Sequence, residues 1–231
     1  MKIIFTSDID WANETVIDFT LNLFKINNIK CTLFATHKSK AIDLCDKNLF
    51  EIGIHPNFNQ SIVSGSGLSA KKVIDNLTQI YPDAIGVRSH SLTTSSPLLD
   101  IFKSAGMKYE SNHIIPYSKK IEPYKCWNDM TLIPYNFEDD VHYNYNKSFD
   151  ISLLEEFKTS EYLIMDFHPI HIFLNSDCFE TYNRARDFFQ TDKLKNFINT
   201  KHFGVRDLLM RTFDDIKKQN IETHHLKDLI L

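Results

Sequence analysis

The chain has 231 residues, a length that suits one α/β barrel or doubly wound domain with a substantial apolar core. Its 42% hydrophobic and 24% charged residues exclude disorder and fibrous repeats. A net charge of -4, with no Lys/Arg run interleaved with aromatics, argues against nucleic acid as a partner.

Met1 leads almost directly into a strand-like run with no basic or apolar leader, so a cytoplasmic protein is expected. No apolar stretch approaches the roughly 20 residues that span a bilayer. The four cysteines, Cys31, Cys45, Cys126 and Cys178, are scattered without a C-x-x-C pair and read as reduced and structural. Nothing in the sequence indicates an oligomeric state.

In chain order, the run Ile3 to Phe5 has the character of a buried strand, and Thr6-Ser7-Asp8-Ile9-Asp10 follows at its end. Asn13 to Ile26 reads as a helix, with Val16, Phe19 and Leu23 on one line and Asn13 as a cap. Cys31 to Thr36 is a second strand, Ser39 to Cys45 a short helix, and Glu51 to His55 a third strand. After a Gly/Ser loop from Ser64 to Gly67, Ala70 to Tyr81 has helical spacing and Pro82 ends it. Ile85 to Val87 makes a fourth strand, and Pro97 opens a helix that Gly106 closes.

From Lys119 to Tyr145 the alternation lapses into Tyr-, Asn- and Pro-rich sequence, read as irregular β structure and loops. It resumes with a strand from Tyr162 to Phe167, followed by helical segments near Phe179 to Phe189 and Gly204 to Lys218. Strands alternating with helices imply a parallel sheet or barrel, whose ligands sit at the carboxyl ends of the strands. Asp8, Asp10, His55, His90 and His168 all fall at such ends.

Taken singly, an aspartate at a strand end is commonly a cap, and a lone buried histidine a hydrogen-bonded core residue. Their collection at one rim points instead to a catalytic divalent metal with open coordination positions. The residues alone do not rank Asp8 against Asp10.

The motifs resemble those of the polysaccharide deacetylase superfamily, with its NodB-homology domain, from the first strand to about Asn175. Thr6-Ser7-Asp8-Ile9-Asp10 is similar to the first motif, which implies Asp8 as catalytic base and Asp10 as metal ligand. Ile54-His55-Pro56-Asn57-Phe58-Asn59 resembles the second, which implies His55 as a ligand; Asn59 stands where a second histidine is usual. Gly86-Val87-Arg88-Ser89-His90-Ser91 resembles the third, in which Arg88 would orient the base. His90 replaces the usual proline there, so it is read as the compensating third ligand, with Asn59 as competitor. Met165-Asp166-Phe167-His168-Pro169 resembles the late motif, which implies His168 as general acid. The overall style is closest to the WbmS-type subgroup.

The resemblance implies a single catalytic domain over 1–231, a distorted parallel (β/α) barrel of the NodB-homology type. It implies a metal-dependent hydrolase, with Zn²⁺ as the expected ion, that removes an N-acyl group, most simply acetyl, from a small amino-sugar substrate. That sugar would be free, nucleotide-linked or lipid-linked, in surface-polysaccharide biosynthesis. Two alternatives stay open: release of formyl or another small acyl group, and a catalytically silent carbohydrate-binding relative. An acid from Glu138, Asp139 or Asp140 is expected to anchor Arg88, and Trp11, Phe58 and Trp127 are read as core aromatics before sugar platforms.

Overall fold

The computed structural model describes residues 1–65, 67–145 and 147–231; Ser66, inside the expected Gly/Ser loop, lies outside them, as does Asn146. The first half runs β1 (Lys2–Asp8), α1 (Glu14–Asn27), β2 (Cys31–Ala35), α2 (Lys40–Asp43), β3 (Phe50–Ile54), α3 (Asn59–Ser64), α4 (Ala70–Ile80), β4 (Gly86–Val87) and α5 (Ser96–Ser104). The second half adds β5 (Tyr109–Glu110), β6 (Tyr124–Lys125), β7 (Thr131–Leu132), β8 (Phe137–Glu138), α6 (Asp139–Asn144), α7 (Leu153–Glu156), β9 (Tyr162–Asp166), α8 (Pro169–Leu174), α9 (Phe179–Ala185), α10 (Val205–Gln219) and β10 (Thr223–His224).

Local chemistry sets the helix ends. The Asn13 side chain accepts the Val16 N–H and opens α1, and Asn28, at φ +55°, closes it. Ser69 caps α4 and Ser95 caps α5, with Pro97 in its first turn.

The strand order is β6-β7-β5-β4-β3-β2-β1-β9-β8, parallel throughout except for the β6–β7 pair, and β10 adds to β1. The extended stretch from Thr131 to Glu138 joins both ends of this order. Thr131 and Leu132 pair with β5, Tyr135 bridges Ile114, and Phe137 and Glu138 pair with β9. The sheet is thus curled into a distorted parallel barrel.

Side chains alternate across each strand, so β1 sends Ile3 and Phe5 toward the helices and Ile4, Thr6 and Asp8 inward. The main apolar core lies between strands and helices, with Phe5, Phe24 and Phe213 in mutual edge contact. A second cluster, with Ile4, Phe34, Tyr109, Ile133, Tyr135 and Ile164, fills the barrel interior. Gly53 and Gly86 face these rings, and a Cβ at either position would collide with Phe34 or Tyr109. The 3-10 turn Leu226–Leu229 closes the lower end: Leu226 N–H donates to Thr32 Oγ1 (3.0 Å) and Lys227 N–H to Glu51 Oε2 (3.2 Å).

The regular alternation follows the expected elements to within a residue or two. Four short helices depart from it. α3, α7 and α8 lie in stretches with no helical expectation, and α6 interrupts the segment read as irregular β structure and loops. The expected helix from Phe179 to Phe189 ends as α9 at Ala185 and continues as a 3-10 turn, Arg186–Phe188. All four cysteines are free. No helix among the described residues is long and apolar enough to cross a membrane.

Candidate active site

The inward positions at the carboxyl rim supply the polar cluster. Asp8 ends β1, His55 follows β3, Arg88 and His90 follow β4, and His168 follows Asp166 at the end of β9. The backbone after β1 turns sharply, with Asp10 at φ +43° and Trp11 at +56°. Left-handed geometry costs a non-glycine residue about 1–2 kcal/mol, so the surrounding structure must hold this turn. Ser91 and Leu92, just after His90, are left-handed too, at +57° and +53°.

The strained turn aims Asp10 at two imidazoles. Its Oδ1 stands 3.0 Å from His90 Nδ1 and 3.3 Å from His55 Nε2. One donor atom from each of Asp10, His55 and His90 lies within 4.8 Å of the others. The Asn59 side chain donates through Nδ2 to Ser91 Oγ at 3.1 Å.

Arg88 has no solvent exposure and ties the inner carboxylates together. Its Nη1 donates to Asp8 Oδ1 (3.1 Å), Asp166 Oδ1 (2.5 Å) and Thr6 Oγ1 (2.8 Å). Nε and Nη2 are fixed by the Ser111 carbonyl (2.9 Å) and hydroxyl (3.0 Å), and the guanidinium lies against the rings of Tyr135 and Phe34. The anchor of Arg88 is therefore Asp166 and not the expected Glu138-Asp139-Asp140 run. Asp166 pairs with Thr6 in the β1–β9 register, which brings its side chain inward beside Arg88.

That acidic run serves the histidines instead. Asp139 accepts the His168 backbone N–H at Oδ2 (2.8 Å) and its ring Nδ1 at Oδ1 (2.7 Å). This leaves His168 Nε2 facing the cluster, 3.6 Å from Asp10 Oδ2. Asp140 pairs with His171 Nε2 at 2.6 Å, and Tyr135 donates to Glu138 at 2.5 Å. Asp139 and Asp166 carry roles that sequence reasoning did not single out; the signal for Asp166 was its two-residue offset from His168 on a strand.

The remaining histidines and aromatics near the rim sort by burial. His142 packs against Phe137 and Phe149 and meets Tyr117 Oη at 2.7 Å, which is a core role. His113 pairs with Glu110 outside the cluster. Phe58 is buried, as a core aromatic should be, whereas Trp11 is 41% exposed and Trp127 64%.

Electrostatics separate the groups. Burial and the Asp166 charge push the Asp8 carboxyl up to about 6, against the pull of His55 and Arg88. Burial acts on Asp10 in the same direction, but hydrogen bonds to His55 and His90 outweigh it and hold Asp10 well below the usual carboxylate range. Burial would lower His168, yet Asp139 and Asp140 raise it well above an ordinary imidazole. Burial lifts Glu138 to about 8.

One carboxylate and two imidazoles form a donor set suited to Zn²⁺. Donors at the usual bond lengths around one tetrahedral ion stand about 3.3 Å apart, close to the separations found from Asp10 Oδ1 to each ring. His55 Nδ1 is buried without a hydrogen-bond partner, and the side chains of Asp10 and His90 keep 25% exposure, which leaves an approach for substrate. The residues present fit a divalent ion.

A parallel barrel with an acid–imidazole cluster on its carboxyl rim defines the class as a NodB-type carbohydrate deacetylase fold. The family profile described as WbmS-like polysaccharide deacetylase matches residues 5–186. A crystal structure described as a polysaccharide deacetylase involved in O-antigen biosynthesis, from Bordetella bronchiseptica, is 30% identical with a TM-score of 0.87, covering 92% of this chain and 90% of that one. The chain belongs to the WbmS-like polysaccharide deacetylase family. A peptidoglycan N-acetylglucosamine deacetylase (11% identity, TM-score 0.53, 99% and 87% covered) shares the fold. So does the peptidoglycan deacetylase PdaC from Bacillus subtilis (10%, 0.52, 99% and 89%). A search of the curated proteins gives no match.

Proposed function

We propose that this protein is a metal-dependent N-deacetylase acting on an amino sugar, with Asp10, His55 and His90 as ligands of a divalent ion, Zn²⁺ by donor type. The observation that carries the reading is the coexistence, on one rim, of that donor triad with a carboxylate held by Arg88 and an imidazole held by Asp139. When bound, Zn²⁺ lowers the pKa of its water toward neutrality and polarises the acyl carbonyl.

Asp8 is the base. Its carboxyl is poised at about 6, so it is mostly ionised at neutral pH and still basic enough to take a proton from the attacking water. Arg88 fixes the Asp8 carboxylate from below and cannot itself give up a proton. The water oxygen bonds the acyl carbon, and the carbon–nitrogen bond breaks. The leaving nitrogen takes its proton from His168 Nε2, since Nδ1 is held by Asp139. The products are a free amine and a carboxylic acid that ionises to the carboxylate, and the proton taken by Asp8 returns to His168.

The family supports a carbohydrate substrate, and the Bordetella neighbour's role in O-antigen biosynthesis supports a sugar destined for a surface polysaccharide. The test is a screen of zinc-loaded protein against N-acetylated sugars, free and nucleotide-linked, read as amine release. Release from at least one is expected. A fully metallated protein that releases amine from none would favour the carbohydrate-binding alternative.

A further inference from the structure

Trp11 is the largest apolar side chain beside the cluster, and it is not in the core: 41% of it is open to solvent. Its ring stands across that of His90, 5.0 Å between centroids and 77° between planes. The residue is also in an unfavourable backbone state, at φ +56° directly after Asp10 at +43°. Glycine or asparagine would hold such a turn with less strain, so aiming Asp10 does not by itself call for an indole.

Two hydrogen bonds from separate segments lock the indole-bearing residue in place. Its N–H donates to Thr36 Oγ1 (3.1 Å), at the end of the β2 strand, and its carbonyl accepts from Gln190 Nε2 (2.9 Å) beyond α9. A large aromatic kept half-exposed by a strained, pinned backbone is a preorganised binding surface and not a packing element. Directly after His90 in the chain the rim is polar: Ser91, again left-handed, accepts from the Asn59 amide. A half-exposed apolar ring against His90 and an amide–hydroxyl pair at its chain neighbour match the two characters of a pyranose, whose C–H face is apolar and whose edge carries hydroxyls.

We propose that Trp11 is the platform for the sugar ring of the substrate, with Asn59 and Ser91 reading its hydroxyl edge. The proposal rests on the amino-sugar reading for the nature of the ligand. It assigns Trp11 to binding and specificity and leaves the chemistry to the residues already named.

The sequence contains two tryptophans, so Trp127→Phe in the zinc-loaded protein leaves Trp11 as the sole indole reporter. Titration with N-acetylglucosamine, N-acetylgalactosamine and their uridine-diphosphate forms should change its fluorescence saturably, and sodium acetate should not. For whichever sugar is deacetylated, Trp11→Ala should raise KM about tenfold with zinc content unchanged, and Trp11→Phe should recover part of the loss. A saturable fluorescence change without amine release would keep the platform and remove the deacetylase reading. No fluorescence response to any of the four, or an unchanged KM in Trp11→Ala, would overturn the proposal while leaving deacetylation, if observed, in place.

Discussion

Asp139 grips His168 at two points, taking its backbone N–H on one carboxylate oxygen and its ring Nδ1 on the other. The pair fixes both the ring orientation and the nitrogen that faces the cluster, and the acid holds the imidazole protonated. Asp139→Asn should therefore lower kcat by ~10²-fold. Because Asp139 raises the His168 pKa, its loss lowers that pKa, and the alkaline fall of the kcat profile should move to lower pH. An unmoved alkaline limb would show that His168 does not deliver the proton.

Asp8 and Asp10 sit two residues apart but have opposite surroundings, one against Arg88 and Asp166, the other against two imidazoles. Asp8→Asn should keep the metal and lose kcat by ~10²-fold or more. Asp10→Asn should release the metal at modest chelator concentration, with activity partly restored by excess ion. Metal analysis and kinetics on both variants check this; exchanged outcomes would mean exchanged roles.

His90 and Asn59 compete for the third ligand position. The His90 ring lies 3.0 Å from Asp10 Oδ1, while Asn59 Nδ2 donates to Ser91 Oγ. Competition against a chromophoric chelator should show His90→Ala losing far more zinc affinity than Asn59→Ala, by at least ~10-fold, since imidazole is the better donor for this ion. The reverse order would return Asn59 to the shell.

Arg88 is buried with two carboxylates facing it. Arg88→Ala would leave Asp8 and Asp166 without their cation, at a cost of about 3–5 kcal/mol in unfolding free energy. Urea titration measures it. A loss below about 1 kcal/mol would mean that the carboxylates protonate or find other partners.

The rim residues were legible in the sequence because each follows a strand with a clear apolar pattern: Asp8 and Asp10 after Ile3 to Phe5, His55 after β3, His168 after β9. Asp139 was not assignable, because its contact with His168 depends on two-residue β8 lying beside β9, and so short a strand has no periodicity to read. Asp166 sat inside a quoted motif, but its partner depends on the β1–β9 register, which no local pattern encodes. α6 was missed for a related reason: Asp139-Asp140-Val141-His142-Tyr143-Asn144 is too short and too polar to show a helical face.

The central claim is that an ion held by Asp10, His55 and His90 is required for amide cleavage. Zinc content and amine release should be measured on the same sample, as purified, after chelation and dialysis, and after zinc is restored, using the best sugar from the screen. The account predicts about one equivalent of zinc per chain, activity abolished with its removal, and activity recovered in proportion to the zinc returned. Undiminished amine release by metal-free protein would contradict it.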